Sequence, residues 1–359
     1  MSDSPIRTCS FCSARFTGAR PFFADRAVRG ATLTDVTGVC GACVESFAAE
    51  LKRSRGWSAR ASLYTSGVAR VSSELESRVI GLSVARRALT AALFEHWMSP
   101  PDGGRGSGSL DATLGSTARR LLFVGPSGAG KTLLLRSAAD LSAGPALVLD
   151  AGRLSEAGAP GESVETLVGS LVRFANGDAT LASRGALFVD GVELAPTRRS
   201  EAIQRELLRL LDGGVCDTML ETRGAQASRV HVDVGTMLVA VGARAALPAA
   251  LDDDAATRAA LLERGVSAAF LARFDRILAL PPLDEAAIQR LLRRKLADRS
   301  RALRGGGLVD AELELPDDAL AALAHGIAQE PDGGFAVERG VQRLVERAIL
   351  ERADTRSDR

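Results

Sequence analysis

The chain has 359 residues, which at roughly 100–200 residues per domain predicts two or three domains. Hydrophobic residues make up 46% of it and charged residues 25%, so it can bury a normal core and wholesale disorder is not expected. Its 45 basic and 44 acidic side chains leave a formal net charge of +1, which argues against a dedicated nucleic-acid-binding protein.

The sequence carries no recognisable targeting or membrane-spanning signal. The first residues, MSDSPIRTCSFC, lack the apolar core of a signal peptide. No apolar run in the chain approaches the ~20 residues that a membrane helix needs. We therefore expect a cytoplasmic protein without membrane contact.

Residues 1–50 are predicted to form a small zinc-binding module. Two C-x-x-C motifs, 27 residues apart, supply its four thiols: Cys9, Cys12, Cys40 and Cys43. Four thiolates can close a tetrahedral Zn²⁺ site, and a module of about 40 residues rarely folds without such a link. Disulfides are the alternative, which a cytoplasmic setting disfavours.

After the zinc-binding module, the sequence shows no clear secondary-structure pattern until helical periodicity begins near residue 76. Residues 51–75 lack clear periodicity and are predicted to be a linker. From about Glu76 to Met98, apolar residues recur near helical spacing and predict one helix. Residues 100–117 are rich in Gly and Ser and predict a flexible loop.

Residues 76–282 are predicted to form a large α/β domain. Short apolar runs alternate with helical patterns there, which indicates a parallel sheet with crossover helices. The predicted strands are Arg120–Val124, Ala146–Leu149, Gly185–Val189, Met237–Val241 and Arg276–Leu280. The predicted helices cover about 130–142, 162–175, 200–212 and 257–272.

From residue 283 the pattern is helical throughout. We predict a small helical domain over residues 283–359. Its predicted helices are Asp284–Ser300, Asp317–Ala328 and Glu338–Ala353.

A phosphate-binding loop stands between the first predicted strand of the sheet and the helix after it. The motif G-x-x-x-x-G-K-T requires this strand–helix context. Glycines let backbone N–H groups converge on phosphate oxygens, Lys131 is expected to reach the β/γ-phosphates, and the Thr132 hydroxyl is expected to ligate Mg²⁺. Only three lysines occur in the chain, so one at this position favours the motif. The residues predicted to bind ATP here are Gly125, Pro126, Ser127, Gly128, Ala129, Gly130, Lys131, Thr132 and Leu133.

Asp190 follows the apolar run ALFV and is predicted to hold Mg²⁺ through water. An ATPase also needs a residue that orients the attacking water, usually the one directly after this Asp, and here it is Gly191. Glu193 lies roughly 6–7 Å further along an extended strand and is a candidate catalytic substitute. The alternative is that Glu193 is a plain surface acid. The sequence therefore predicts nucleotide binding and leaves hydrolysis open.

The order and spacing of these segments resemble the ClpX-type unfoldases of the AAA+ superfamily. The resemblance is carried by LESRVIGLSVARRAL, RLLFVGPSGAGKTLLLRSAADL, LSEAGAPGESVETLVGSLV and AIQRELLRLLDGG. It implies an α/β P-loop NTPase domain followed by a helical lid domain, with Val79 and Ile80 against the adenine. It also implies a ring homo-hexamer.

Further segments extend the resemblance to individual site residues. VSAAFLARFDRIL resembles the family segment that ends in an arginine finger, so Arg273 would act in trans on a neighbour's γ-phosphate. ERGVQRLVERAIL resembles the lid segment that would place Arg339 in cis to the nucleotide. CSFCSA resembles the opening of the family's four-cysteine zinc module, which would recruit protein substrates or adaptors.

The chain departs from the family where that family handles polypeptide. Gly158, Ala159, Pro160 and Gly161 stand where it has Gly-Tyr-Val-Gly in its first pore loop, so no ring is present to grip a chain. Only LAPTRR stands where it has a long second pore loop. The stretch ARAALPAALDDDAATRAALLERG lacks the Ile-Gly-Phe tripeptide that docks on the ClpP peptidase. We therefore expect no ClpP docking by this route.

These features favour an ATPase that remodels protein partners without degrading them. A hydrolysis-poor, ATP-gated scaffold or adaptor is the alternative. Several arginines in the zinc module would allow a third interpretation, nucleic-acid binding, which the balanced charge disfavours.

Overall fold

The computed structural model describes residues 9, 22–24, 38–45, 60–98, 120–154, 163–220, 228–245, 247, 253–305, 315–330 and 333–357. Cys12 and the pore-loop positions 158–161 lie outside these described residues. None of the described helices is both long and apolar enough to cross a membrane.

A five-stranded parallel sheet forms the centre of the described chain. Its strands are β3 (Arg120–Gly125), β4 (Ala146–Asp150), β5 (Ala186–Glu193), β8 (Leu238–Arg244) and β9 (Arg276–Ala279). They lie in the order β4-β5-β8-β3-β9, and every neighbouring pair is parallel. The predicted strands and the parallel α/β fold class are confirmed.

Helices cover both faces of this sheet. Those before β9 are α1 (Val68–Arg78), α2 (Ser83–Met98), α3 (Lys131–Leu141), α4 (Val164–Phe174), α5 (Ala179–Ser183), α6 (Arg198–Leu211), α7 (Asp254–Glu263) and α8 (Ala268–Leu271). On one face, Phe123 and Phe188 pack with apolar residues of α1, α2 and α3. On the other, Leu122 and Val189 pack with α4 and α6. Because the strands are buried on both sides, their sequences are almost continuously apolar.

Two antiparallel strand pairs lie outside the five-stranded sheet. Near the N-terminus, β1 (Phe22–Ala24) pairs with β2 (Gly38–Cys40). Between α6 and β8, β6 (Val215–Leu220) and β7 (Ser228–Asp233) form a hairpin that the sequence analysis missed. In β6 the apolar residues Val215 and Met219 are exposed, so its pattern does not match that of a half-buried strand.

The segment from Glu76 to Met98, predicted to be one helix, contains the end of α1 and all of α2. The chain leaves α1 at Val79, and Gly81 and Leu82 then adopt positive φ angles of 75° and 53° before α2 begins. Upstream, residues 60–65 are helical, and Tyr64 is buried within the core. Part of the segment predicted to be a linker therefore belongs to the packed fold.

The helix predicted over 257–272 is also interrupted. Gly265 has a φ of 80°, and the N–H of Val266 donates to the carbonyl of Leu261, which closes the end of α7. A glycine in this conformation is a common way for a helix to end.

The C-terminal helices are α9 (Glu285–Gly305), α10 (Asp317–Ala328) and α11 (Gly333–Ser357). They pack around an apolar cluster of their own, which includes Ile288, Leu320 and Val341. The helical character predicted for this part of the chain is confirmed.

Candidate functional site

The loop between β3 and α3 has the backbone geometry that a phosphate-binding loop needs. Gly128 and Gly130 have φ angles of 74° and 90°, in the left-handed region that favours glycine. Helix α3 begins directly after Gly130, at Lys131. The N–H groups and the positive end of the helix dipole therefore lie at this loop.

The Lys131 side chain is buried, with only 8% of its surface exposed. Its ammonium donates to the carbonyls of Gly125 (2.8 Å) and Pro126 (2.6 Å). Burial lowers the pKa of Lys131 to about 8, although the negative charge of Asp190 opposes this shift. No carboxylate in the described residues forms an ion pair with it. An anionic ligand would therefore stabilise the charged form.

Thr132 and Asp190 bring two oxygen ligands together at the carboxyl edge of the sheet. The Thr132 hydroxyl donates to Oδ2 of Asp190 at 2.5 Å. Asp190 lies near the end of β5, and its Oδ1 atom lies beside Gly242 of β8. Hydroxyl and carboxylate oxygens are the donors that Mg²⁺ prefers, so these residues fit that ion.

A cavity of about 630 Å³ opens at this edge, within the size range of small-molecule and cofactor sites. The described loop residues Ser127 to Leu133 form its floor, while Gly125 and Pro126 instead bind Lys131 through their carbonyls. Val79, Ile80 and Leu82 line one side. The strand ends contribute Asp150, Asp190, Gly191 and Arg244.

The C-terminal helices close the opposite side of the cavity. Residues from this side are Leu283, Leu291, Lys295, Phe335, Val337 and Glu338. The backbone N–H of Gly334 donates to the carbonyl of Gly128 at 3.0 Å, so the first turn of α11 touches the phosphate-binding loop. Lys295 and Glu338 form an ion pair at this wall, and it lowers the pKa of the Glu338 carboxyl.

Comparison with known proteins shows which family this chain is similar to. Residues 121–260 match the AAA family, described as the ATPase family associated with various cellular activities. The ATP-dependent Clp protease ATP-binding subunit ClpX 3 of Methylococcus capsulatus is 26% identical over 98% of this chain and 90% of its own length. Residues 121–260 therefore match an AAA ATPase domain, and the whole chain is similar to ClpX-type AAA+ proteins.

Shorter matches have higher identity. The ATP-dependent Clp protease ATP-binding subunits ClpX of Borrelia duttonii and Treponema denticola are 31% and 33% identical, over 40% and 39% of this chain. In each case the match spans 35% of the relative's own length, or about a third. The loop and the oxygen pair fit a nucleotide and Mg²⁺, the ligands that the match to an ATPase family implies.

Glu193 does not follow the geometry that a regular strand would give. Gly191 has a φ of 79°, and the pairing of β5 with β8 shifts register between Val189 and Val192. Glu193 forms an ion pair with Arg244 at 3.0 Å and is not one of the cavity-lining residues. Glu193 therefore does not lie where a regular extended strand would place it, because β5 bulges between Val189 and Val192.

The two arginines expected to contact nucleotide lie away from the cavity of this single chain. Arg273 follows α8 and forms an ion pair with Asp212, just after α6. Arg339 lies on α11 and forms an ion pair with Glu330. Neither arginine lines the cavity. Lys295 lines the cavity although no sequence motif marks it, and the rarity of lysine in this chain was a usable signal.

The structure brings Cys9 of the first C-x-x-C motif together with Cys40 and Cys43 of the second. The sulfur atoms of Cys9, Cys40 and Cys43 all lie within 4.8 Å of one another. The Cys40 backbone N–H also donates to Sγ of Cys9 at 3.4 Å. Thiolates at this spacing fit Zn²⁺. The fourth predicted ligand, Cys12, lies outside the described residues.

Proposed function

We propose that this AAA+ protein is an ATPase that remodels protein partners without delivering them to ClpP. The observation that carries the proposal is the contact between Gly334 and Gly128. It places the C-terminal helices directly on the loop that would hold the phosphates. A ligand in the cavity would touch both parts of the chain, so its binding and loss would change how they are joined.

Different described residues would bind different parts of ATP. The loop N–H groups and Lys131 would bind the phosphates, and Val79 and Ile80 would lie against the adenine. Thr132 and Asp190 would hold Mg²⁺, which supplies charge neutralisation at the phosphate oxygens. A bound phosphate would stabilise the charged form of Lys131, because its negative charge offsets the cost of burying the ammonium.

We further propose that the protein works as a homo-hexamer in which Arg273 reaches a neighbour's nucleotide. Its side chain is 43% exposed and paired only at the surface, with Asp212. An exposed ion pair of this kind is worth little, so exchanging Asp212 for a γ-phosphate across an interface costs little. Arg339 is proposed to act in cis after a similar exchange from Glu330.

Protein partners are proposed to bind at the zinc module of residues 1–50, which the four cysteines would hold with Zn²⁺. Pore-loop residues Ala159 and Pro160 offer no aromatic grip, and the sequence after β8 lacks an Ile-Gly-Phe tripeptide. Both features support remodelling without ClpP docking. Nucleic acid and membranes are not proposed as partners, and a cytoplasmic location stays a prediction.

A second function has support of its own. Gly191 provides no acidic side chain after Asp190. If no other group orients water, the protein would bind ATP and act as a nucleotide-gated scaffold or adaptor.

Steady-state hydrolysis of Mg²⁺-ATP by the purified protein separates these functions. Lys131→Ala serves as the blank, and binding of the fluorescent analogue mant-ATP is measured in parallel. Turnover above the blank that rises on adding casein, a protein without stable structure, would support remodelling. Tight mant-ATP binding without turnover would reject the ATPase and leave the scaffold.

A further inference from the structure

We infer that Asp150 supplies the carboxylate that orients the attacking water, replacing the acidic side chain missing at position 191. The inference rests on the proposed ATPase function and names a catalytic residue for it. Asp150 was not among the residues that the sequence analysis selected.

The fold places Asp150 beside Asp190, the proposed Mg²⁺ ligand. Asp150 is the last residue of β4, and its Cα is paired in register with that of Asp190 on the adjacent parallel strand. Paired residues on neighbouring strands are about 4.8 Å apart and point to the same face. That face carries α3, because Val148 and Phe188, two residues before each aspartate, pack in the same apolar cluster as α3.

The Asp150 carboxylate lies where a side chain at position 191 would begin. A Cβ atom built on Gly191 would be 3.5 Å from Oδ1 of Asp150, an ordinary contact distance. Asp150 also lines the cavity together with Asp190 and Gly191, whereas Glu193 does not. In a typical site the acidic residue directly follows the equivalent of Asp190 in sequence. Here the neighbouring strand β4 places the Asp150 carboxylate at that position instead.

Short contacts hold this carboxylate in place. The Gly152 N–H donates to Oδ1 of Asp150 at 2.8 Å, at the start of a short 3-10 turn. Arg199 in turn donates to the Gly152 carbonyl at 3.2 Å. Among the described residues, no group donates to Oδ2 of Asp150. That oxygen can therefore accept a hydrogen bond from a water molecule.

The step balances with water and ATP alone. The water oxygen forms a bond to the γ-phosphorus, and the bond from that phosphorus to the bridging oxygen of the β-phosphate breaks. ADP leaves with the electron pair of that bond. The water proton leaves along its hydrogen bond to Asp150 and passes to solvent. Phosphoryl transfer needs mainly positioning of this kind.

The test compares Asp150→Asn with the matched control Glu193→Gln. Each replaces one carboxylate by its amide, and the amide at position 150 keeps an oxygen for the Gly152 N–H. We expect Asp150→Asn to reduce turnover by about 10²-fold or more and Glu193→Gln to leave it near wild type. Mant-ATP affinity should stay near wild type in both variants. After gel filtration, bound nucleotide should be ATP in Asp150→Asn and ADP in wild type.

Other results would overturn the inference. Wild-type turnover in Asp150→Asn would reject a role for Asp150 while leaving the ATPase function intact. Full recovery of Asp150→Asn at high Mg²⁺ would show that Asp150 holds the metal and does not orient water. Loss of mant-ATP binding would assign it to binding. If wild type itself gives no turnover above Lys131→Ala, the ATPase function fails and Asp150 has no water to orient.

Discussion

The backbone N–H of Gly334 and the carbonyl of Gly128 are joined by a 3.0 Å hydrogen bond. This bond connects the first turn of α11 to the loop at the floor of the cavity. A Cβ atom at position 334 would lie 2.7 Å from the Gly128 oxygen, closer than side chains normally approach backbone. Only glycine fits there without moving the helix or the loop.

Gly334→Ala should therefore weaken nucleotide binding. Overpacking of a tight contact typically costs about 1–3 kcal/mol, so we expect the Kd for mant-ATP to rise roughly 5- to 150-fold. Fluorescence titration measures this directly. Gly340→Ala on the same helix is the control, because its Cβ would make ordinary contacts with Ile327 and Leu323. Equal affinities in the two variants would show that the Gly334 contact does not shape the site.

Arg273, which forms an exposed ion pair with Asp212, is proposed to act on the nucleotide of a neighbouring subunit. Variants that lack one side chain each can test this action in trans. We expect Arg273→Ala to lose most turnover while binding mant-ATP normally, because Arg273 does not line its own chain's cavity. Lys131→Ala should lose both. Mixing the two inactive variants should restore part of the activity, since a Lys131→Ala subunit still offers Arg273 to its neighbour. No recovery in mixed rings of verified composition would contradict action in trans.

Much of the fold could be predicted because burial imposes strong local patterns. Each central strand is apolar along almost its whole length, and the loop motif fixes where β3 ends and α3 begins. Patterns failed where positive φ angles interrupt a helix, as at Gly81 and Gly265. Local sequence does not encode those interruptions strongly, because glycine also occurs within regular structure.

The candidate site was predictable where a local motif or the resemblance to a known family marks its residues. Lys131, Thr132 and Asp190 follow from a motif, but Asp150 enters through the order of strands in the sheet. That order depends on long-range packing, which one sequence does not display. The bulge at Gly191 was also not predictable from one sequence, and it moves Glu193 away from the position that a regular strand would give.

The sulfur cluster predicts one bound zinc per chain. Cys43→Ser should remove it, because the Cys43 sulfur belongs to the cluster with Cys9 and Cys40. Cys216→Ser should retain zinc. Elemental analysis after gel filtration measures both. Full zinc content in Cys43→Ser would contradict the site.

Thiol labelling gives an independent check on the same metal site. Removing zinc with a chelator should expose the module's thiols to rapid alkylation near pH 8. Cys216 should stay slow, because burial raises the pKa of its thiol to about 11 and little thiolate forms. If all five cysteines react equally fast in the native protein before chelation, no metal protects them.

Lys131 should make the stability of the nucleotide-free protein depend on pH. Its pKa is about 8 in the folded chain, against 10.5 when unperturbed. Between these values the unfolded chain binds more protons, so the free energy of unfolding contributed by Lys131 rises as pH rises. Lys131→Met has no such proton and should lack this increase. Lys295→Met is the matched control, since Lys295 is 40% exposed and should leave the increase in place.

Urea unfolding at about pH 7.5 and about pH 9.5, without nucleotide, measures the effect. Over this window we expect the increase in wild type to exceed that in Lys131→Met by about 1 kcal/mol, allowing for partial solvent screening. Saturating Mg²⁺-ATP should abolish the difference, because phosphate raises the pKa of Lys131 and keeps it charged in the folded protein. Identical pH dependence in wild type and Lys131→Met would mean that burying the Lys131 ammonium costs no free energy that a bound phosphate could offset.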